Sequence, residues 1–133
     1  MFTDINLLSI ILASIAYMVI GALWYSPLLF GNLWMQELQI EWKKMEGQNK
    51  AMALGVVLGV VLSVGLSIVL SMIDVNSVDR AIETAFLLWI GIMLPVLGTG
   101  PIYEKQPVKV FVITAGYHLV ALLSMAIIIV SFA

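Results

Sequence analysis

Residues 51–71 read AMALGVVLGVVLSVGLSIVLS, a largely aliphatic segment without a charged side chain. Small residues occupy every fourth position within it: Ala51, Gly55, Gly59, Ser63, Ser67 and Ser71. Small side chains in such a row let a second helix backbone approach closely. At about 1.5 Å per residue, the segment is long enough to cross a bilayer. The pattern predicts a transmembrane helix whose small-residue row, called the seam here, packs on another helix of this chain or on a second copy.

The composition predicts an integral membrane protein with one transmembrane domain, residues 1–133. Of the 133 residues, 62% are hydrophobic and 11% are charged, and the mean hydropathy is +1.11, outside the range of soluble globular chains. The chain has no cysteine, which excludes disulfides, thiol nucleophiles and thiolate metal ligands. The net charge of -2, with no basic cluster beyond Lys43 and Lys44, argues against nucleic acid binding.

Hydrophobic runs predict an all-α fold, an integral membrane four-helix bundle with spans at about 5–25, 51–73, 81–97 and 108–132. Residues 32–46 have an apolar face and a charged face, which predicts an amphipathic helix between the first two spans. This helix is expected on the cytoplasmic membrane surface, or packed on the end of the bundle. Pro95 removes the helical donor for the carbonyl of Gly91, which predicts a kink in the third span. Residues 98–101, Gly-Thr-Gly-Pro, predict a turn after it.

The distribution of basic residues predicts the orientation. Lys43, Lys44, Lys50, Lys105 and Lys109 fall in loops or helix ends on one side of the predicted bundle, and Arg80 falls on the other. Because cytoplasmic loops carry the excess of Lys and Arg, both lysine-bearing loops are expected in the cytoplasm. Both termini are then expected outside.

Two aromatic and polar segments flank the first and last spans. One runs Trp24-Tyr25-Ser26-Pro27-Leu28-Leu29-Phe30-Gly31 and is followed by Trp34; the other runs Tyr103-Glu104-Lys105-Gln106-Pro107 and leads into Ala115-Gly116-Tyr117-His118-Leu119-Val120. In these segments and in their order, the chain resembles a family of small, mostly bacterial, four-helix membrane proteins catalogued as domain of unknown function 1761. The resemblance covers nearly the whole chain and implies four spans in a bacterial-type inner membrane. It supplies no catalytic residues.

The last span carries one substantially polar face, formed by Thr114, Tyr117, His118 and Ser124. His118 is the single histidine and lies near mid-membrane, where an ionisable group marks a functional candidate. The favoured interpretation is nevertheless that its imidazole is a structural group that hydrogen-bonds to a neighbouring helix. No metal-ligand set accompanies it, so no metal site and no cofactor are predicted.

A second candidate site lies at the membrane interface. It is the interface motif, in which Trp24, Tyr25, Ser26, Pro27 and Trp34 fall on the same side of the bundle as Glu104 and Lys105. These two segments could meet there, and a polar ligand would be sought at this place first.

The sequence predicts a packing or accessory role in the bilayer, as a homo-oligomer or as a subunit of a larger membrane complex, and not an enzyme. Small residues recur on more than one helix, because Ser9, Ala13 and Gly21 form, with Tyr17, a second row of residues spaced by four. No nucleophile with an adjacent base and no pair of carboxylates indicates catalysis. The alternative is a transporter or channel for protons or a small solute, which would use the polar face of the last span. The first span lacks the buried acidic residue on which four-helix exporters depend.

Overall fold

The structure, a computed structural model, describes residues 6–38 and 48–132. These residues contain helices and no strand: α1 (Leu7–Trp24), α2 (Gly31–Leu38), α3 (Gln48–Met72), α4 (Val78–Leu88), a π-helical turn (Trp89–Met93), α5 (Leu94–Leu97), α6 (Thr99–Tyr103) and α7 (Val108–Ser131). Four helices of the described part are long and apolar enough to span a membrane: Leu7–Trp24, Lys50–Met72, Val78–Tyr103 and Val108–Ser131. The predicted all-α fold with four membrane-spanning helices is confirmed.

The first and last helices form the centre of the molecule. α1 and α7 pack along each other, α3 packs mainly on α1, and α4 packs mainly on α7. The core between them is built from small and aliphatic side chains, among them Ala13, Ala85, Leu122 and Met125, which are buried completely or nearly so. Alanines at these positions let the helix backbones approach closely. In space the helices therefore follow the order α3, α1, α7, α4.

The third span changes locally from α-helix to π-helix just before its proline, Pro95. At the π-helical turn the backbone N–H of Leu94 donates to the carbonyl of Trp89, five residues back, and Pro95 follows within the first turn of α5. A wider turn of this kind adjusts a helix that must accommodate a residue without an N–H group. The structure thus has a π-helical turn around Gly91, and the kink predicted there stays a prediction.

Beyond Pro95 the helix continues further than the sequence suggested. The predicted turn at residues 98–101 is instead a single turn residue, Gly98, followed by α6. Gly98 has φ -65° and ψ -16°, so its backbone stays in the right-handed helical region. Pro101 lies in the first turn of α6, where a missing N–H group leaves no helical hydrogen bond unmade. The helix ends at Tyr103, and the chain turns away at Lys105, whose φ is +57°.

The amphipathic helix predicted at 32–46 is described as far as residue 38. α2 turns Met35 inward, where 3% of the residue is exposed, and contacts α7. An ion pair joins it to the start of that helix, with 3.5 Å between Lys109 Nζ and Glu37 Oε1. Residues 39–46 of the prediction lie outside the described residues.

Candidate functional site

Four aromatic side chains from α1, its C-cap residue, α2 and α7 form an aromatic cluster at one end of the bundle: Tyr17, Tyr25, Trp34 and Tyr117. The ring of Tyr117 lies 5.4 Å from that of Tyr17 and 5.5 Å from that of Tyr25, centroid to centroid. The Tyr25 ring lies 5.1 Å from that of Trp34 in an edge-on arrangement. These are the separations and tilts that aromatic pairs favour. The cluster therefore joins both ends of the turn between α1 and α2 to the last span.

The hydroxyl groups of the cluster are used to connect helices. Tyr117 Oη donates to the backbone carbonyl of Tyr17 at 2.8 Å. Tyr25 Oη lies 3.5 Å from Thr114 Oγ1, and burial raises the pKa of the Tyr25 phenol, so this hydroxyl stays protonated at neutral pH. Gly21 makes room for the tyrosine, because a Cβ built there would lie 3.0 Å from Tyr117 Oη. Two of the predicted polar-face residues thus serve contact between α1 and α7.

Two tryptophans, one from α1 and one from the third span, donate hydrogen bonds to α7. Trp24 Nε1, at the end of α1, donates to the carbonyl of Ile113 at 2.9 Å. Trp89 Nε1, in the π-helical turn, donates to the carbonyl of Ala115 at 2.9 Å. Inside a membrane an indole N–H needs such an acceptor. The first and third spans are thereby both linked to α7 within one of its turns.

The remaining polar-face residues have no such role. His118 is half-buried with its ring 4.9 Å from that of Tyr117. Its buried Nδ1 has no hydrogen-bond partner among the described residues, so at this atom the structural hydrogen bond considered for the imidazole is missing. Ser124 is half-buried. The described residues contain no group of three or more His, Cys, Asp or Glu that could hold a metal ion.

The interface motif is divided by the structure. Trp24 and Tyr25 contact α7 through the hydrogen bonds above, and the Trp34 ring packs on that of Tyr25. Ser26 Oγ donates to the carbonyl of Leu23 at 2.7 Å, and Pro27 is exposed. Glu104 and Lys105 are exposed as well, and the ion pair between α2 and α7 is made by Glu37 and Lys109 instead.

The middle of the seam faces α1. A Cβ built on Gly59 would lie 2.8 Å from Tyr17 Cδ1, and one built on Gly55 would lie 3.6 Å from Met18 Cε. Ser63 Oγ is buried and lies 3.1 Å from Ser14 Oγ. This part of the seam therefore packs on another helix of the same chain. At its ends Ala51 is exposed, while Ser67 and Ser71 line a cavity described below.

Fold and contacts together define a polytopic α-helical membrane protein with polar side chains that connect its spans. Residues 8–130 match the family model described as "Protein of unknown function (DUF1761)". The chain belongs to this family, which confirms the resemblance noted from the sequence. No curated protein and no solved structure matches the chain.

Proposed function

We propose that this protein is a packing or accessory component of a bacterial-type inner membrane, working as a homo-oligomer or as a subunit of a larger membrane complex. The observation that carries the proposal is a groove between α3 and α4. These two helices follow each other in the chain, yet each packs mainly on a different central helix. The groove between them has a volume of about 330 Å³.

The groove has an aliphatic surface suited to another helix. Gly65 and Val69 of α3 form one wall, Leu88 and Ile92 the other, and Leu122 of α7 also lines it. Gly65 is exposed, and a Cβ built on it would meet no atom within 4 Å. Lipid tails are as apolar as these side chains, so association in a membrane depends on close packing, which small residues permit. A flexible acyl chain loses conformational entropy when it is ordered in such a groove, and a helix that is already rigid loses less.

The transport alternative has less support from the contacts. Thr114 and Tyr117 are engaged with α1, and the polar face lines neither the groove nor the polar cavity described below. The proposal also includes no catalysis. Within the part of the chain that the structure describes, no hydroxyl lies within hydrogen-bond distance of His118 Nδ1 to form a nucleophile and base pair.

Gly65→Leu is expected to reduce assembly, because the leucine side chain would occupy the groove, while its Cβ meets no atom of the monomer within 4 Å. Native mass spectrometry after gentle detergent extraction measures the fraction of assembled protein and identifies whatever co-purifies. Gly91→Leu is the matched control, since a Cβ at Gly91 also meets no atom within 4 Å and Gly91 does not line the groove.

A strictly monomeric, partner-free wild-type protein would contradict the proposal. So would proton flux in proteoliposomes, followed with a pH-sensitive dye, that is lost in His118→Gln while assembly persists. Glutamine keeps donor and acceptor groups but cannot titrate, so that result would make the protein a transporter.

We also propose that both termini lie outside the inner membrane. Lys50, Lys105 and Lys109 lie at the end of the bundle that carries the aromatic cluster, and Arg80 lies at the other. Cysteine labelling of the cysteine-free chain tests this orientation. Val130→Cys, near the end of α7, is expected to react with an impermeant reagent from outside and Lys105→Cys only from the cytoplasm; the reverse pattern would refute it.

A further inference from the structure

A polar cavity lies at the end of the bundle opposite the aromatic cluster, where α1 begins and α3 and α7 end. Its volume is about 310 Å³. It is lined by Asn6, the N-cap of α1, by Ser9 of α1, by Ser67 of α3 and by Asp74 of the turn that follows α3. Ile129 and Val130 of α7 add an apolar side. No part of the packing proposal uses this cavity.

One hydroxyl in the cavity has unused hydrogen-bonding capacity. Ser67 is 5% exposed, and no described residue accepts from its hydroxyl or donates to it. Ser9, which is 1% exposed, donates to the carbonyl of Asn6 at 2.8 Å and keeps its acceptor lone pairs. The Ser67 hydroxyl can therefore hydrogen-bond to a group that occupies the cavity.

The charge around the cavity favours a cation. Asp74 supplies the one formal charge among the described residues that line it. α3 and α7 both end here, and the C-terminal end of a helix carries partial negative charge. The N-terminus of α1 contributes little of the opposite sign, because Asn6 Oδ1 accepts from the backbone N–H of Leu8 at 2.9 Å and of Ser9 at 3.4 Å.

We propose that this cavity binds a primary ammonium group, carried by a phospholipid headgroup or by a small free amine. A primary ammonium has three N–H donors, which match the Asp74 carboxylate and the oxygens of Ser9 and Ser67. The volume, about ten times the share of one liquid water molecule, admits a group of several non-hydrogen atoms rather than a bare ion. The cavity lies where the helices end, which is the level of lipid headgroups.

The test compares two lipids and one free amine on the purified full-length chain. Native mass spectrometry measures binding of a phosphatidylethanolamine and of a phosphatidylcholine with the same acyl chains, whose quaternary ammonium donates no hydrogen bond. Thermal unfolding measures stabilisation by ethanolamine. We expect the wild type to bind the phosphatidylethanolamine about tenfold more tightly, the scale of one charge-assisted hydrogen bond, or to be stabilised by ethanolamine. The first result assigns a lipid source and the second a free amine.

Asp74→Asn should abolish whichever effect the wild type shows. The turn persists in this variant, because Asp74 has φ +54° and asparagine tolerates that region. Ser67→Ala should weaken the effect severalfold. Asp79→Asn is the matched control, an exposed acidic residue near the same end that does not line the cavity, and should leave binding unchanged. Equal binding of both lipids without stabilisation by ethanolamine would overturn the proposal, as would an equal loss in Asp79→Asn.

Discussion

Gly59→Leu is expected to destabilise the bundle by about 3 kcal/mol, the upper range for overpacking of a close interface. The new Cβ would lie 2.8 Å from Tyr17 Cδ1 and 3.4 Å from its Cγ, before the rest of the leucine is placed. The Tyr17 ring cannot move freely, because it packs on Tyr117 at 5.4 Å. Relief therefore requires α1 and α3 to separate, which also parts Ser14 from Ser63. Thermal unfolding in detergent measures the loss.

Two substitutions on the same helix provide the controls. Leu58→Ile alters a side chain that is 61% exposed and should leave stability nearly unchanged. Gly55→Ala brings a methyl group to 3.6 Å from Met18 Cε, an ordinary van der Waals contact, and should be tolerated. If Gly59→Leu were tolerated as well as Leu58→Ile, the seam would be incidental to packing.

Gly31→Ala is expected to cost a similar amount, about 3 kcal/mol, because the obstacle is backbone. A Cβ on Gly31 would lie 2.6 Å from the carbonyl carbon and oxygen of Ser26, and closer still to the carbonyl oxygen of Tyr25. The turn must then open, which removes the hydrogen bond from Gly31 N–H to the Ser26 carbonyl, 2.9 Å long. The opening of the turn displaces α2, and the contact between Trp34 and Tyr25 is lost.

The matched variant for this prediction is Gly65→Ala, on the exposed side of α3. Its Cβ would meet no atom within 4 Å, and alanine favours a helix over glycine by up to about 1 kcal/mol. Thermal unfolding should therefore show Gly65→Ala to be as stable as the wild type or more so. Stability of Gly31→Ala equal to that of Gly65→Ala would mean that α2 does not depend on the tight turn.

The four spans could be predicted from the sequence because long uncharged apolar runs are rare outside transmembrane helices. Pro95 also indicated an irregular third span, because proline has no backbone N–H group to donate to the helical carbonyl four residues before it. The turn propensity of glycine and proline misled at residues 98–101, where Gly98 and Pro101 both fit helical geometry because Pro101 lies in a first turn. Glycine and proline indicate a turn only when the positions around them need one.

The contacts between the spans were harder to predict. Nothing in the sequence shows that Trp24 and Trp89 donate to carbonyls two residues apart on α7, because a backbone acceptor is present at every position of a helix. The contact between Tyr17 and Gly59 could be predicted in part, because each of them belongs to a row of residues spaced by four. The groove and the polar cavity depend on how the helices are arranged around α7, a property that hydrophobicity along the chain does not encode.

The pairing of α1 with α7 has a consequence for how the protein is made. Contacts such as that between Tyr117 and the Tyr17 carbonyl join residues 100 positions apart, so α1 enters the membrane long before its partner has been translated. At about 5–20 residues per second, the ribosome needs roughly 5–20 s for that distance. During this interval the indole of Trp24 has no carbonyl of α7 to bind. A chain truncated before α7 would keep that defect permanently and should be a substrate for membrane proteases.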